Sequence, residues 1–137
     1  MNREQLIEQA WKARENAYCP YSRFMVGAAV LGEDGNVYLG CNIENASCGM
    51  TVCAERVAIF NMVSKGCRKF RALAVVGSTE GDSAPCLACR QVMTEFAADS
   101  EVPVYVGCPS GAIYTHTMKE ICPLPFTSFE ASQDYSK

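Results

Sequence analysis

The chain has 137 residues, 49% hydrophobic and 20% charged, with a formal net charge of −3. That size suits a single packed domain over 1–137 with a tail from about 127, and the composition excludes a disordered chain. The acidic balance and the absence of a basic stretch argue against a nucleic-acid partner, and no apolar run is long enough to span a bilayer.

Apolar residues at Leu6, Ile7, Ala10, Trp11, Ala17 and Tyr18 predict a helix from Asn2 to Tyr18. Asn2 and Gln5 have the spacing of a capping box at its start. Cys19-Pro20-Tyr21-Ser22 breaks it, because proline has no N–H to donate. Met25 to Leu31 reads as a buried strand, Asp34-Gly35 as a hairpin turn, and Asn36 to Cys41 as the returning strand. Asn42 to Met50 is small, polar and turn-rich, so a loop is expected. A second helix runs from near Val52 through Val63, and Gly66 ends it.

Phe70 to Gly77 is the third strand, followed by a loop from Ser78 to Ala84. Pro85 opens a third helix, where its missing N–H does no harm, with Val92, Met93 and Phe96 on the buried face. Val102 to Val106 and Ala112 to Thr117 are the last strands, and Met118 to Ile121 adds one helical turn. Strands alternating with helices predict an α/β fold with a sheet covered on both faces. The third helix would join two strands in a right-handed crossover.

Nine cysteines are many for this length, and an odd number cannot pair completely. The charged start, Met1-Asn2-Arg3-Glu4-Gln5, lacks the apolar core of a signal peptide. Thiols or metal ligands in a reducing, cytoplasmic setting are therefore expected. Cys86 and Cys89 have C-x-x-C spacing at the start of the third helix, and Cys53 stands at the start of the second. Both helix N-termini can meet at one end of the sheet, where partial positive charge favours thiolates.

Three thiolates suit zinc and leave a fourth position for water, the arrangement of a catalytic rather than a structural site. Glu55 is too close to Cys53 to share the ion but can lean over the water as a proton carrier. Three thiolates carry one negative charge more than zinc neutralises. Arg56 and Arg90 are the cations placed to compensate, and Arg56 is favoured.

Cys53-Ala54-Glu55 with Pro85-Cys86-x-x-Cys89 resembles the zinc deaminases. Cys19-Pro20-Tyr21-Ser22, Phe24 to Ala29, Asn42-Ile43-Glu44-Asn45, Cys53 to Arg56 and Pro85 to Gln91 occur in one order over Leu6 to about Phe126. That set is similar to the cytidine deaminases of the small, homotetrameric, three-cysteine type. The resemblance implies a three-layer α/β/α sandwich with a mixed five-stranded sheet and one zinc ion per chain. It implies hydrolytic conversion of cytidine and deoxycytidine to uridine and deoxyuridine in pyrimidine salvage. Water attacks C4, Glu55 shuttles protons, and ammonia leaves.

The same resemblance gives Phe24 the pyrimidine ring, and Asn42 and Glu44 the ribose 3′-hydroxyl. Main chain near Ala46 and Ala54, with Glu55, would read the base edge. Ser83 or Ala84 would offer a carbonyl to ammonia. Neighbouring subunits would complete each site, with Phe126 contributed from the tail. One departure is Cys48, where such proteins often carry an aromatic residue.

Other readings stand beside this one. Cys48, Cys53, Cys86 and Cys89 could form a closed structural zinc site in a binding module. A different aminopyrimidine nucleoside, such as blasticidin S, could be the substrate, or, with less support, a polynucleotide. Phe24 could be plain core, Glu44 a solvated acid and Arg56 a surface residue. His116, the only histidine, has no companion ligand and reads as structural.

Overall fold

Asn2 opens the first helix through the expected capping box: Gln5 N donates to Asn2 Oδ1 at 2.8 Å, and Asn2 N donates to Gln5 Oε1 at 2.9 Å. This helix, α1, spans Arg3–Arg14 in a computed structural model that describes residues 1–128. Most of the expected tail lies outside the described residues. Helix α1 stops four residues short of Tyr18. Tyr18 N donates instead to Asn42 O at 2.9 Å, and Glu44 N donates to Tyr18 O at 2.8 Å. A partner distant in sequence thus overrides the local helical stripe.

The strands are β1 (Gly27–Gly32), β2 (Val37–Cys41), β3 (Phe70–Val76), β4 (Pro103–Gly107) and β5 (Ile113–Thr117). The helices after α1 are α2 (Ala54–Ser64), α3 (Leu87–Phe96) and the single turn α4 (Met118–Ile121). The expected order holds, and apart from the end of α1 the boundaries shift by one or two residues. Pro85 sits just ahead of α3 rather than inside it, and Cys86 is the cap. The expected loop from Asn42 to Met50 closes with a short 3-10 turn at Cys48–Met50.

The sheet order is β2-β1-β3-β4-β5. Strand β1 pairs antiparallel with both β2 and β3, while β3 and β4 are parallel and β5 turns back along β4. Strands β2, β3 and β4 therefore all run the same way. Their carboxyl ends share one edge with the amino end of β1. Helices α2 and α3 begin after β2 and β3, so both N-termini return to that edge.

Alternation along the strands divides the core. Ala29, Ala72, Ala74 and Val76 face Leu6, Ile7 and Ala10 of α1. Val30, Leu73, Val75 and Val104 face the other way, against Ile59 and Met62 of α2 and Met93 of α3. Each fully buried Val, Leu, Ile or Met side chain here contributes about 1.5–3 kcal/mol. Among the described residues no helix is long and apolar enough to cross a membrane.

Gly40 sets how closely α2 lies on the sheet. A Cβ there would reach the Ala54 carbonyl oxygen at 2.5 Å and Ala58 Cα at 2.8 Å. Gly40→Ala should cost about 1–3 kcal/mol in urea unfolding through overpacking. Gly49→Ala, which meets open space, should change stability by less than about 0.5 kcal/mol. Equal melts for Gly40→Ala and the unsubstituted protein would show that α2 has room to move.

Candidate active site

Cys53 and Cys86 are the N-cap residues of α2 and α3, and Cys89 lies fully buried in the first turn of α3. Neither cap sulfur makes a capping hydrogen bond to the backbone of its own helix. The three Sγ atoms lie within 4.8 Å of one another, with Cys86 and Cys89 3.4 Å apart. Zinc–sulfur bonds of about 2.3 Å set tetrahedral sulfurs about 3.8 Å apart, so this cluster can hold a zinc ion. Cys48 lies exposed outside it, and no fourth His, Cys, Asp or Glu joins it among the described residues. The closed four-thiolate reading is not what the fold builds.

Arg56 is the cation the fold sets beside Cys53. Its Nη2 lies 3.6 Å from Cys53 Sγ, and its buried Nε has no hydrogen-bond partner among the described residues. A cation with a spare donor suits an anionic sulfur cluster. Hydrogen bonding from Cys89, then from Arg56, pulls the Cys53 thiol down to about 5 against its burial. Cys89 is pushed up, first by its hydrogen bonding with Cys53 and then by burial. Arg90 serves elsewhere: Nε donates to Pro85 O at 2.6 Å and Nη1 to Ile121 O at 3.0 Å, which anchors the segment leading into Cys86.

Glu55 is only 6% exposed. Burial pushes its carboxyl up to about 7. The negative charge on Cys53 adds to that push, while backbone hydrogen bonding and Arg56 oppose it. An acid poised there can both accept and return a proton near neutral pH.

A cavity of about 380 Å³ opens over the cluster, within the range of small-molecule sites. Phe24, Asn42, Glu44, Cys53, Ala54 and Glu55 line it, as do Ser83, Ala84 and Cys86. Cys89 lies beneath this surface, in the core. Ala46 and Phe126 do not line the cavity. Ala46 is exposed, and Phe126 is held by its backbone: Gln91 Nε2 donates to Phe126 O at 2.7 Å while the side chain stays 69% exposed.

The polar groups also hold the cavity's own backbone. Asn42 Oδ1 accepts from Val26 N at 2.9 Å, and its Nδ2 donates to Phe24 O at 2.7 Å. Glu44 Oε1 accepts from Tyr21 N at 3.0 Å and Ser22 N at 3.1 Å. Hydrogen bonding, first from the Ser22 side chain, keeps the Glu44 carboxyl below its ordinary range. His116 takes a structural place, 2.6 Å from Asp82 in the loop above α3. Sequence reasoning missed Thr51, Gly77, Thr79 and Gly107 on the cavity wall. Gly77 and Gly107 could have been found as carboxyl ends of parallel strands, where α/β ligands collect.

The family model for the cytidine and deoxycytidylate deaminase zinc-binding region matches residues 1–106. The chain belongs to that family. A cytidine deaminase of Sporosarcina psychrophila is 52% identical over 132 residues, 96% of each chain. One from Halalkalibacterium halodurans is 51% identical over 128 residues, covering 93% of this chain and 96% of the relative. The crystal structure of cytidine deaminase from Burkholderia pseudomallei superimposes with a TM-score of 0.87 at 46% identity, over 92% of this chain and all of that one. The mixed five-stranded sheet with its flanking helices is thus the cytidine deaminase fold.

The raised Glu55 carboxyl has a sign that can be checked in the metal-free deaminase. Between about pH 4.5 and 7 the unfolded chain releases this proton while the folded chain keeps it. Stability from this group is therefore present below pH 4.5 and lost as pH rises toward 7, by up to roughly 3 kcal/mol. Glu55→Gln should gain stability over the metal-free parent as pH rises through that window and hold the gain above it. A difference that does not vary with pH in denaturant melts would mean an ordinary Glu55 carboxyl.

Proposed function

We propose that this chain is a zinc-dependent cytidine deaminase that converts cytidine and deoxycytidine to the uridines, consuming water and releasing ammonia. The observation that carries the reading is a buried acid beside a cluster of three, not four, cysteines at a nucleoside-sized cavity. The high identity to proteins named cytidine deaminase supports the same substrate. Bound at Cys53, Cys86 and Cys89, zinc would supply the Lewis acidity that makes water nucleophilic near neutral pH.

The chain's own residues do the rest. Glu55 accepts one proton from water and delivers it to ring N3, then carries the second proton from the hydroxyl now on C4 to the amino nitrogen, so ammonia leaves as the C4 carbonyl forms. Burial of its carboxyl keeps the two protonation states close in free energy. Arg56 holds the Cys53 sulfur and offsets the surplus negative charge. Phe24 packs against the pyrimidine. Asn42 and Glu44 receive the ribose, since a buried hydroxyl without a partner costs about 1–3 kcal/mol. The backbone at Ala54, with Glu55, reads the base edge. The carbonyl of Ser83 or Ala84 faces the departing ammonia.

A neighbouring subunit closes the site in this reading, with Phe126 and the loop near Ala46 acting across the contact in a homotetramer. Exposed Ile43, Met50 and Phe60 border a shallow groove that shares Glu44 with the cavity, an apolar surface suited to such a contact. All nine cysteines are free, which suits a reducing cytoplasm.

Cytidine absorbance should shift to that of uridine with purified protein, and the conversion should disappear as zinc is chelated. Glu55→Ala should keep one zinc per chain while kcat falls at least 10²–10⁴-fold. Full turnover in that variant would sink the proton-carrier role. Light scattering should give about 60 kDa, four chains of 14.9 kDa. A fully active monomer would remove the neighbour from the site.

A further inference from the structure

Strands β1 and β3 part company at the cavity. Their pairing ends at Gly27 and Val76. Beyond that pair, Phe24 and Val26 line one wall and Gly77 and Thr79 the other. The Phe24 ring comes against Gly77, with its Cζ 3.3 Å from where a Cβ would stand. Among the described residues, no direct hydrogen bond joins the two walls.

Arg14 joins them from behind. It is the last residue of α1 and does not line the cavity. Its Nε donates to Met25 O at 3.0 Å, and its Nη2 donates to Ser78 Oγ at 2.6 Å. Met25 lies between the wall residues Phe24 and Val26, and Ser78 between Gly77 and Thr79. The guanidinium stands 5.4 Å from the centre of the Trp11 ring, which braces it from its own helix. The backbone beneath it is fixed as well, because Gly27 abuts Ala10 O and Arg14 N so closely that no side chain fits.

The wall needs such a hold. Arg23, immediately before Phe24, has a φ of 60°, the left-handed region that costs a non-glycine residue about 1–2 kcal/mol. Strain of this kind persists only where surrounding contacts over-determine it. Glu44 and Asn42 hold that segment from the cavity side. Arg14 is the contact from the opposite side, and it also reaches the second wall.

We propose that Arg14 is a positioning residue that sets the gap between the Phe24 and Gly77 walls and thereby the affinity for the nucleoside. It touches no substrate and moves no proton. Lysine would not replace it, because a single ammonium lacks the planar fork that spans two acceptors. The proposal rests on the nucleoside-deaminase reading of the cavity.

Three variants test it: Arg14→Met, which keeps a long apolar stem beside Trp11, Arg14→Lys, and Ser78→Ala. Cytidine turnover by the unsubstituted zinc-loaded enzyme checks the underlying reading first. If that enzyme leaves cytidine untouched, the reading has failed, and the proposal goes with it. Given turnover, Arg14→Met should raise KM about tenfold or more and leave kcat within about threefold. Zinc should stay at one per chain. Uridine affinity, read by calorimetry, should fall in parallel. Arg14→Lys should recover only part of the loss. Ser78→Ala should raise KM more modestly, and its effect should vanish in the Arg14→Met background.

A merely destabilised protein loses active fraction, which lowers apparent kcat and leaves KM alone. An unchanged KM and uridine affinity in Arg14→Met, or additive effects with Ser78→Ala, would overturn the proposal. Should Arg14→Met fail to fold, Ser78→Ala alone decides: an unchanged KM and uridine affinity there refute the clamp.

Discussion

The common direction of β2, β3 and β4 is the constraint on which the rest depends. Because those strands run one way, the chain leaves each of them at the same edge of the sheet. Helices α2 and α3 must start there. Three cysteines at the two helix starts, far apart in sequence, are thereby brought within 4.8 Å. The same edge receives the amino end of β1 and so Phe24. The helix N-termini add partial positive charge where thiolates gather. A flexible loop would not deliver sulfurs to this precision, whereas capped helices seated on a buried sheet do.

Electrostatics at that edge work by opposition. Two helix ends favour negative charge at the sulfurs, and hydrogen bonding, first from Cys89 and then from Arg56, holds the Cys53 thiol down to about 5. Glu55 sits two residues further on yet goes the other direction, up to about 7, because burial outweighs backbone hydrogen bonding and the nearby arginine. One short segment thus holds a stabilised sulfur anion next to a reluctant carboxylate. Neighbouring groups driven apart in this way are fitted to different chemical tasks.

The polar residues around the cavity hold their own walls before any ligand arrives. Asn42 bonds the backbone on both sides of Met25, and Glu44 grips Tyr21 and Ser22. Both line the cavity. Their geometry is fixed by the chain they support, so a ligand meets groups already oriented. Preorganisation of this kind lowers the ordering cost of binding. The strained Arg23 and the bridging Arg14 belong to the same framework.

The sequence by itself determined the local units and the chemical inventory. Capping residues, hairpin glycine and apolar periodicity located the helices and strands, and cysteine spacing pointed to the three sulfurs that the fold brings together. These features are local, and backbone sterics and hydrogen bonding act over a few residues. Tertiary structure alone decided what depends on contacts distant in the chain. The end of α1 was set by Asn42, against the stripe that continues to Tyr18. The exclusion of Cys48 from the cluster, the entry of Thr51 and Thr79 into the cavity and the reach of Arg14 to Ser78 had no local signal. The raised Glu55 carboxyl likewise arose from burial, a property of the packed molecule that no single segment carries.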